Sequence, residues 1–374
     1  MRHRILQNSP FCKSCSCIIL TLSNWSDKSG FNHSFLAFLT CFVLCFLCLA
    51  APILTDSRAG MIEPPGTPSE ESLVISATNT VEVTAPNLHH NKSEMQEDTG
   101  LRGALNQTIA LKKGWNMVLG PAGDLYPKYL ADPRSPTFSI ATMYFSETEI
   151  DAAGRSRVGL RMGTRFGLLR FHKDGDPGHG FQLDLGAGFL GQFDMANSLD
   201  NIGWDGVYSL GIAWAPRDRF AIRVGAFHDS SHVGDEYAER TGRRRISYTR
   251  EEALLGLSWA FTKKCRTYTE GAYAYTLRNR ELMEPVRVQC GLEYMSPESF
   301  WKGRLGWYAA ADVSSYEENN RDTNTTIQAG LLYPLRDLSR TWRLGIEYYD
   351  GRSHIGEFFQ KREEYISIGF YVDF

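Results

Sequence analysis

The sequence predicts an all-β fold, a transmembrane antiparallel β-barrel of about 12 strands. Three observations carry that reading. The final stretch, Glu364 to Phe374, alternates without a break. Ile366, Ile368, Phe370, Val372 and Phe374 share one face of an extended strand, and Tyr365, Ser367, Gly369, Tyr371 and Asp373 share the other, because successive strand side chains point to opposite faces. From Thr137 onward the chain is a ladder of such segments, and their polar faces alternate charge with glycine. The apolar faces carry Trp or Tyr near segment ends, the placement favoured at a membrane boundary. A soluble sandwich also alternates, but it needs neither of the last two features.

Before the ladder the chain changes character several times. Phe35 to Leu54 is a strongly apolar run preceded by Lys13 and Lys28. Cys48-Leu49-Ala50 and Ser57-Arg58-Ala59 place small residues where a signal peptidase cuts, so residues 1–59 are expected to be a signal peptide region. A retained anchor is the alternative, since the run is long enough to span a bilayer. Residues 60–112 are polar and rich in Pro, Ser and Glu, and a disordered linker is expected there. Residues 113–136, richer in Trp, Tyr and Pro, are expected to pack as an ordered segment at the periplasmic rim, with the barrel over 137–374.

Composition narrows the function. A formal net charge of −3 argues against a nucleic-acid partner. Aromatic residues at 12% with 34 glycines suit a barrel with aromatic girdles. Six of the eight cysteines lie at or before Cys48, in the segment expected to be removed. Cys265 and Cys290 remain. Placed on neighbouring strands about ten residue steps apart, they would be separated by about 33 Å, too far for a disulfide.

The expected strands are 137–147, 156–172, 180–195, 203–214, 219–232, 246–262, 266–280, 285–296, 303–317, 323–334, 341–353 and 362–374. An even count suits a bacterial barrel. With the last strand ending at the periplasm, the turns near Ala215 to Asp218, Lys263-Lys264 and Arg336-Asp337 fall on that side, and the longer 233–245 and 354–361 connections fall outside. On the inward faces Arg157, Arg161, Arg165 and Arg304 stand among Asp184, Glu293, Asp312 and Glu347, with Arg223, Arg287 and Arg343 adding to the basic side. Near-balanced charge in a narrow lumen predicts a salt-bridge lattice that fills it. Pairing of Arg157, Arg161 and Arg165 with acids on neighbouring strands is the specific expectation. A wide general porin would have more strands.

The EYISIGFYVDF ending resembles the C-terminal strand of bacterial outer-membrane barrels, and that likeness implies recognition by the barrel-assembly machinery through Phe374. LADPR (Leu130 to Arg134), FHDSSHVGDEY (Phe227 to Tyr237), GLEY (Gly291 to Tyr294) and EYYDGRSHIGEFF (Glu347 to Phe359) resemble a bacterial family known only as a domain of unknown function. That resemblance covers about Gly120 to Phe374. It implies an outer-membrane barrel in a Gram-negative-type envelope, surrounded by outer-membrane lipids. It implies no activity.

Chemistry concentrates in His228-Asp229-Ser230-Ser231-His232-Val233-Gly234-Asp235-Glu236. His228 and Ser230 continue the apolar row of their strand, and Glu251 has the matching parity on the next one, so any face-preserving register places Glu251 beside or diagonal to them. A His two residues from a Ser on one face lets imidazole take the hydroxyl proton while a carboxylate orients the ring. The pattern is similar to the His-x-Ser of two outer-membrane lipid hydrolases, the phospholipase and the lipid A deacylase. The phospholipase continues with Asn-Gly where Ser231-His232 stand here. Three readings follow: a polar rim without chemistry, a lipid acyl-ester hydrolase using His228, Ser230 and Glu251, and a metal site from His228, His232, Asp235 and Glu236. The metal reading needs a turn between the two histidines, because four residues of extended strand separate them by about 13 Å, too far for one metal. Neither metal nor cofactor is expected. His232, Asp235 and His354 are candidate binding residues. Ser231 to Asp235 echoes in Ser353 to Glu357, with both histidines expected on the apolar-row parity. Such an echo points to a duplicated rim element.

Overall fold

The computed structural model describes residues 106–374 except 302–303, 336–339 and 374, and the side chains of 297–299 are also outside it. The expected signal peptide region, the linker up to residue 105, the turn at Arg336-Asp337 and the terminal Phe374 therefore lie outside the described residues.

Twelve strands close into one antiparallel barrel. They are β3 (Phe138–Thr148), β4 (Ser156–Lys173), β5 (Gly180–Asp194), β6 (Asp200–Arg217), β7 (Phe220–Val233), β8 (Thr249–Trp259), β9 (Cys265–Leu277), β10 (Val286–Phe300), β11 (Leu305–Tyr316), β12 (Thr323–Leu335), β13 (Arg340–Arg352) and β14 (Arg362–Asp373). Each pairs with its sequence neighbour, and β14 closes the ring on β3 through Phe370 opposite Ile140. Closure gives every strand of the ring a hydrogen-bonded neighbour on both sides, as a membrane requires of a spanning sheet. A short helix, α1 (Asp235–Thr241), interrupts the β7–β8 connection. The rim where β3 begins and β14 ends is called the near rim here, and the opposite one the far rim.

Alternation sorts the two faces as expected. On β14, Ile366, Ile368 and Phe370 are exposed while Tyr365, Ser367 and Tyr371 are buried. Repeated around the ring, this makes an apolar outer band of Val, Leu, Ile, Phe, Trp and Tyr, far larger than a soluble monomer exposes. The inner wall carries charge, hydroxyls and tyrosines, with glycine where a ring lies flat. A Cβ on Gly291 would run into the Tyr268 ring, and one on Gly345 into Tyr308, so these glycines make room for inward aromatic side chains.

The segment expected at the near rim goes further than the rim. Its first part does pack there, as β2 (Trp115–Leu119) on the edge of β4 beyond the reach of β3. β2 also pairs with β1 (Gln107–Ala110), a strand formed at the end of the stretch expected to be a disordered linker, which is a correction to that expectation. Residues 121–137 then enter the lumen, where Tyr126 and Ala131 are 1% exposed. The physical reason is hydrogen bonding. An irregular, Pro-containing stretch offers carbonyls with no ladder partner, and inner-wall arginines supply the donors. Arg266 donates to the carbonyl of Pro127 at 3.0 Å and also to that of Lys128. Arg161 donates to Asp132 and Pro133, and Arg165 to Tyr126. Glu293 accepts from the Leu130 amide at 2.8 Å.

Cys265 and Cys290 are free thiols, but their separation differs from expectation. Cys265 faces Tyr294 and Cys290 faces Thr269, so about four residue steps, roughly 13 Å, separate them. The expectation ran both strands into residues 278–285, which instead form a far-rim connection.

Candidate functional site

Two surfaces concentrate polar chemistry: the lumen and the outward face at the far rim. In the lumen, Arg157 pairs with Glu363 at 2.6 Å and Arg161 with Glu347 at 3.5 Å. Arg165 lies 3.8 Å from Asp124 of the plug and 3.9 Å from Asp184, which Arg223 holds at 2.7 Å. Arg266 binds Glu293. Asp312 accepts from Tyr268 and, at 2.9 Å, from Gln289. The lattice is therefore formed, but its pairing departs from the neighbouring-strand expectation. Of the acids paired with those three arginines, Asp184 alone is on an adjacent strand. Glu347 and Glu363 are on β13 and β14, because a guanidinium on a long stem reaches across a narrow lumen. Arg304 is a correction. It sits in the exposed turn before β11, where strand parity does not apply.

The plug adds charges that strand parity could not reveal. Arg134, the last residue of LADPR, forms an ion pair with Asp229 and lies 4.0 Å from Asp205. Tyr129 stacks on Tyr268 with centroids 3.8 Å apart and donates to Glu270 at 3.0 Å. Glu270 continues to Arg287 at 2.8 Å, and Arg287 to Glu252 at 2.9 Å. Above the plug a polar cavity of about 90 Å³ remains, room for a few waters. Below it a vestibule of about 460 Å³ opens at the near rim.

The far rim is capped by the two echoing motifs, which interlock. The Ser231 hydroxyl accepts from the Glu357 amide at 2.8 Å, and Asp205 accepts from the Gly356 amide at 3.1 Å. The buried Glu357 carboxylate accepts from the amides of Ile246 at 2.8 Å and Tyr248 at 3.2 Å. His354 corrects the shared-parity expectation. β13 ends at Arg352, and the chain then folds over the mouth, so His354 is half-buried against Tyr349 and Tyr365, 3.3 Å from Gln192. Burial, with Arg161, Arg134 and Arg157 nearby, pushes its pKa down to about 3. His232, Asp235 and His354 do not converge. His232 faces outward, stacked on Trp204 at 4.2 Å, and Asp235 is exposed in the first turn of α1.

Outside the barrel, β7 pairs with β8 so that His228 faces Glu251 and Ser230 faces Thr249. The His228 Nδ1 lies 3.3 Å from the Glu251 Oε1, and both side chains are about one-third exposed, at 32% and 35%. The structure thus brings this pair together. The Ser230 hydroxyl shares their face but donates to the Gly206 carbonyl at 3.4 Å. Tyr208 flanks His228 at 5.6 Å, and the Tyr275 hydroxyl hydrogen-bonds Glu251.

A family model described as a protein of unknown function, DUF1207, matches residues 67–374. The chain belongs to that family. The match takes in the plug, the barrel and both far-rim motifs of this DUF1207 protein. No curated protein matches the sequence. Among solved structures, the barrel is similar to outer membrane phospholipase A from Escherichia coli, at 12% identity and TM-score 0.47 over 63% of this chain and 92% of that one. The Salmonella typhi outer membrane phospholipase dimer with bound calcium gives 13% identity and TM-score 0.45 over 67% and 95%. The NanC porin gives 12% and 0.37 over 63% and 100%. These likenesses assign no activity to the DUF1207 protein, which is an outer-membrane-type β-barrel of unknown function.

Proposed function

We propose that the protein is a non-conducting barrel of the outer membrane in a Gram-negative-type envelope, and that its working surface is the outward far-rim face. The observation that carries this is the plug, held inside the lumen by Arg134 against Asp229. The continuous apolar outer band supports immersion in lipid. On this reading residues 1–59 direct export, the barrel-assembly machinery takes the C-terminal strand with Phe374, and outer-membrane lipids surround the band. Two results are expected together. The heat-modifiable protein fractionates with outer membranes, and the purified protein gives no steady conductance in planar bilayers. Recovery as a soluble periplasmic protein, or a large steady conductance, would overturn the proposal.

One observation favours a second reading, lipid acyl-ester hydrolysis: the 3.3 Å contact of His228 Nδ1 with Glu251. A carboxylate at Nδ1 leaves Nε2 as the base. Rotation of Ser230 away from Gly206 would offer its hydroxyl to that nitrogen. The Ser230 oxygen then attacks the ester carbonyl carbon while His228 takes the hydroxyl proton. His228 returns it to the departing alcohol, and water cleaves the acyl-serine. Ser230→Ala should abolish hydrolysis of phospholipid or lipid A while leaving heat-modifiable migration intact. Equal activity of the two proteins, or inertness of both, would end this reading.

A further inference from the structure

Above the His228 and Ser230 surface the far-rim loops carry a basic ledge. Arg244, Arg278 and Arg280 are exposed, and none of them forms an ion pair among the described residues. Arg245 is 41% exposed; its guanidinium lies 3.5 Å from Glu357 and 3.4 Å from His232 Nε2. The ledge is anchored to the strands below it. The Arg278 amide donates to the Thr249 carbonyl at 3.2 Å, and Thr249 faces Ser230 across the β7–β8 pair. Arg245 reaches His232, which is stacked on Trp204. Glu281 and Glu284, exposed in the same connection as Arg278 and Arg280, are the nearest carboxylates along the chain.

Below this ledge the surface changes character in one direction. A belt of Trp204, His232, Tyr208, His228 and Tyr275 comes first. Then follow bare apolar side chains, with Leu210, Ile212, Val224 and Leu255 each more than half exposed to solvent in the isolated chain, at 51–57%. Cationic, then amphipathic aromatic, then aliphatic is the sequence of environments along one lipid molecule, from phosphate through carbonyl region to acyl chain. Guanidinium is the side chain best suited to phosphate oxygens, because its fork of donors binds them in pairs.

We infer that the outward face of β6 to β9 is a binding site for a phosphate-bearing membrane lipid. Its phosphate sits at Arg244, Arg245, Arg278 and Arg280, and its chains lie over Leu210, Val224 and Leu255. The inference rests on the membrane reading above and not on hydrolysis. If Ser230 is catalytic, the ledge also defines the substrate class, placing the ester groups of a phosphorylated lipid beside it.

The test uses the folded full-length barrel in nanodiscs, with lipid A and its dephosphorylated counterpart as probes. Wild-type protein and Ser230→Ala should both retain lipid A through purification and should retain the dephosphorylated lipid far less. Arg244→Gln, Arg278→Gln and Arg280→Gln together should weaken retention steeply, by roughly fivefold for each arginine removed. This triple variant spares Arg245, whose contacts to Glu357 and Ser231 also hold the cap. Adding Arg245→Gln should deepen the loss, and heat-modifiable migration checks that each variant is folded. Equal retention of the two lipids, or full retention by the folded triple variant, would overturn the inference. Displacement by millimolar inorganic phosphate would also overturn it, by making this a free-phosphate site. Retention by Ser230→Ala with no hydrolysis by wild type would end the esterase reading and leave the lipid site standing.

Discussion

Replacing Arg134 by methionine should cost the folded barrel about 3–5 kcal/mol, the range for stripping one partner from a buried ion pair. Arg134 faces Asp229 and Asp205, which are 0% and 1% exposed. Without the guanidinium two carboxylates remain in an enclosed lumen with reduced compensation. The double variant Arg134→Met with Asp229→Asn should regain part of the loss, because the ion that the first change stranded is gone. Denaturant midpoints of wild type, both single variants and the double variant in one detergent close the cycle. A midpoint for Arg134→Met equal to wild type would mean that the plug is not held by this pair. Arg304→Met should move the midpoint little, since Arg304 lies in an exposed turn.

The second large effect is a pH dependence from His354, which lies outside the barrel strands in the cap. Burial and three neighbouring arginines depress its folded pKa to about 3, against an ordinary value of about 6.5 in the unfolded chain. The imidazole is neutral in the fold, so below the unfolded value the unfolded state binds the extra proton. His354 therefore contributes stability that is full above about pH 6.5 and is lost as pH falls toward 3, with a limiting slope of about 1.4 kcal/mol per pH unit. Carboxylates add their own dependence, so the readout is a difference. His354→Gln should flatten the curve between pH 6.5 and 3 relative to wild type. Parallel curves for the two proteins would contradict a histidine kept neutral by the fold.

Much of the barrel is legible in the residues because a closed sheet with a lipid side and a lumen side enforces a period of two. That period places Arg157, Asp184, Asp312 and Glu347 inward, and it places Leu255 and Ile366 outward. It also aligns His228 with Glu251 across one hairpin, since neighbouring strands on a shared face leave few registers. Parity stops being informative where a strand stops. Arg304 lies before β11 and His354 after β13, and each follows its loop. The plug has no period at all. Its signs in the sequence are bulky Tyr126 and Tyr129 beside Pro127 and Pro133 in a stretch too irregular for a strand. What draws it inward is a surplus of guanidinium donors on the inner wall, and that surplus becomes visible only once the carbonyls they serve are placed. The interlocked echo is similar. Ser231 and Glu357 look like two copies of one rim element, and their hydrogen bond to each other depends on loops whose path alternation does not describe.

Whether residues 121–137 fill the lumen can be read from thiol accessibility in the folded protein. With Cys265→Ser and Cys290→Ala as background, Ala131→Cys places a thiol where the native side chain is 1% exposed. Asp218→Cys places one at the near rim, where the native side chain is 90% exposed. A membrane-impermeant methanethiosulfonate reagent should label Asp218→Cys within minutes and leave Ala131→Cys unmodified until the barrel is denatured. Labelling of folded Ala131→Cys at the rate of Asp218→Cys would contradict the plugged barrel.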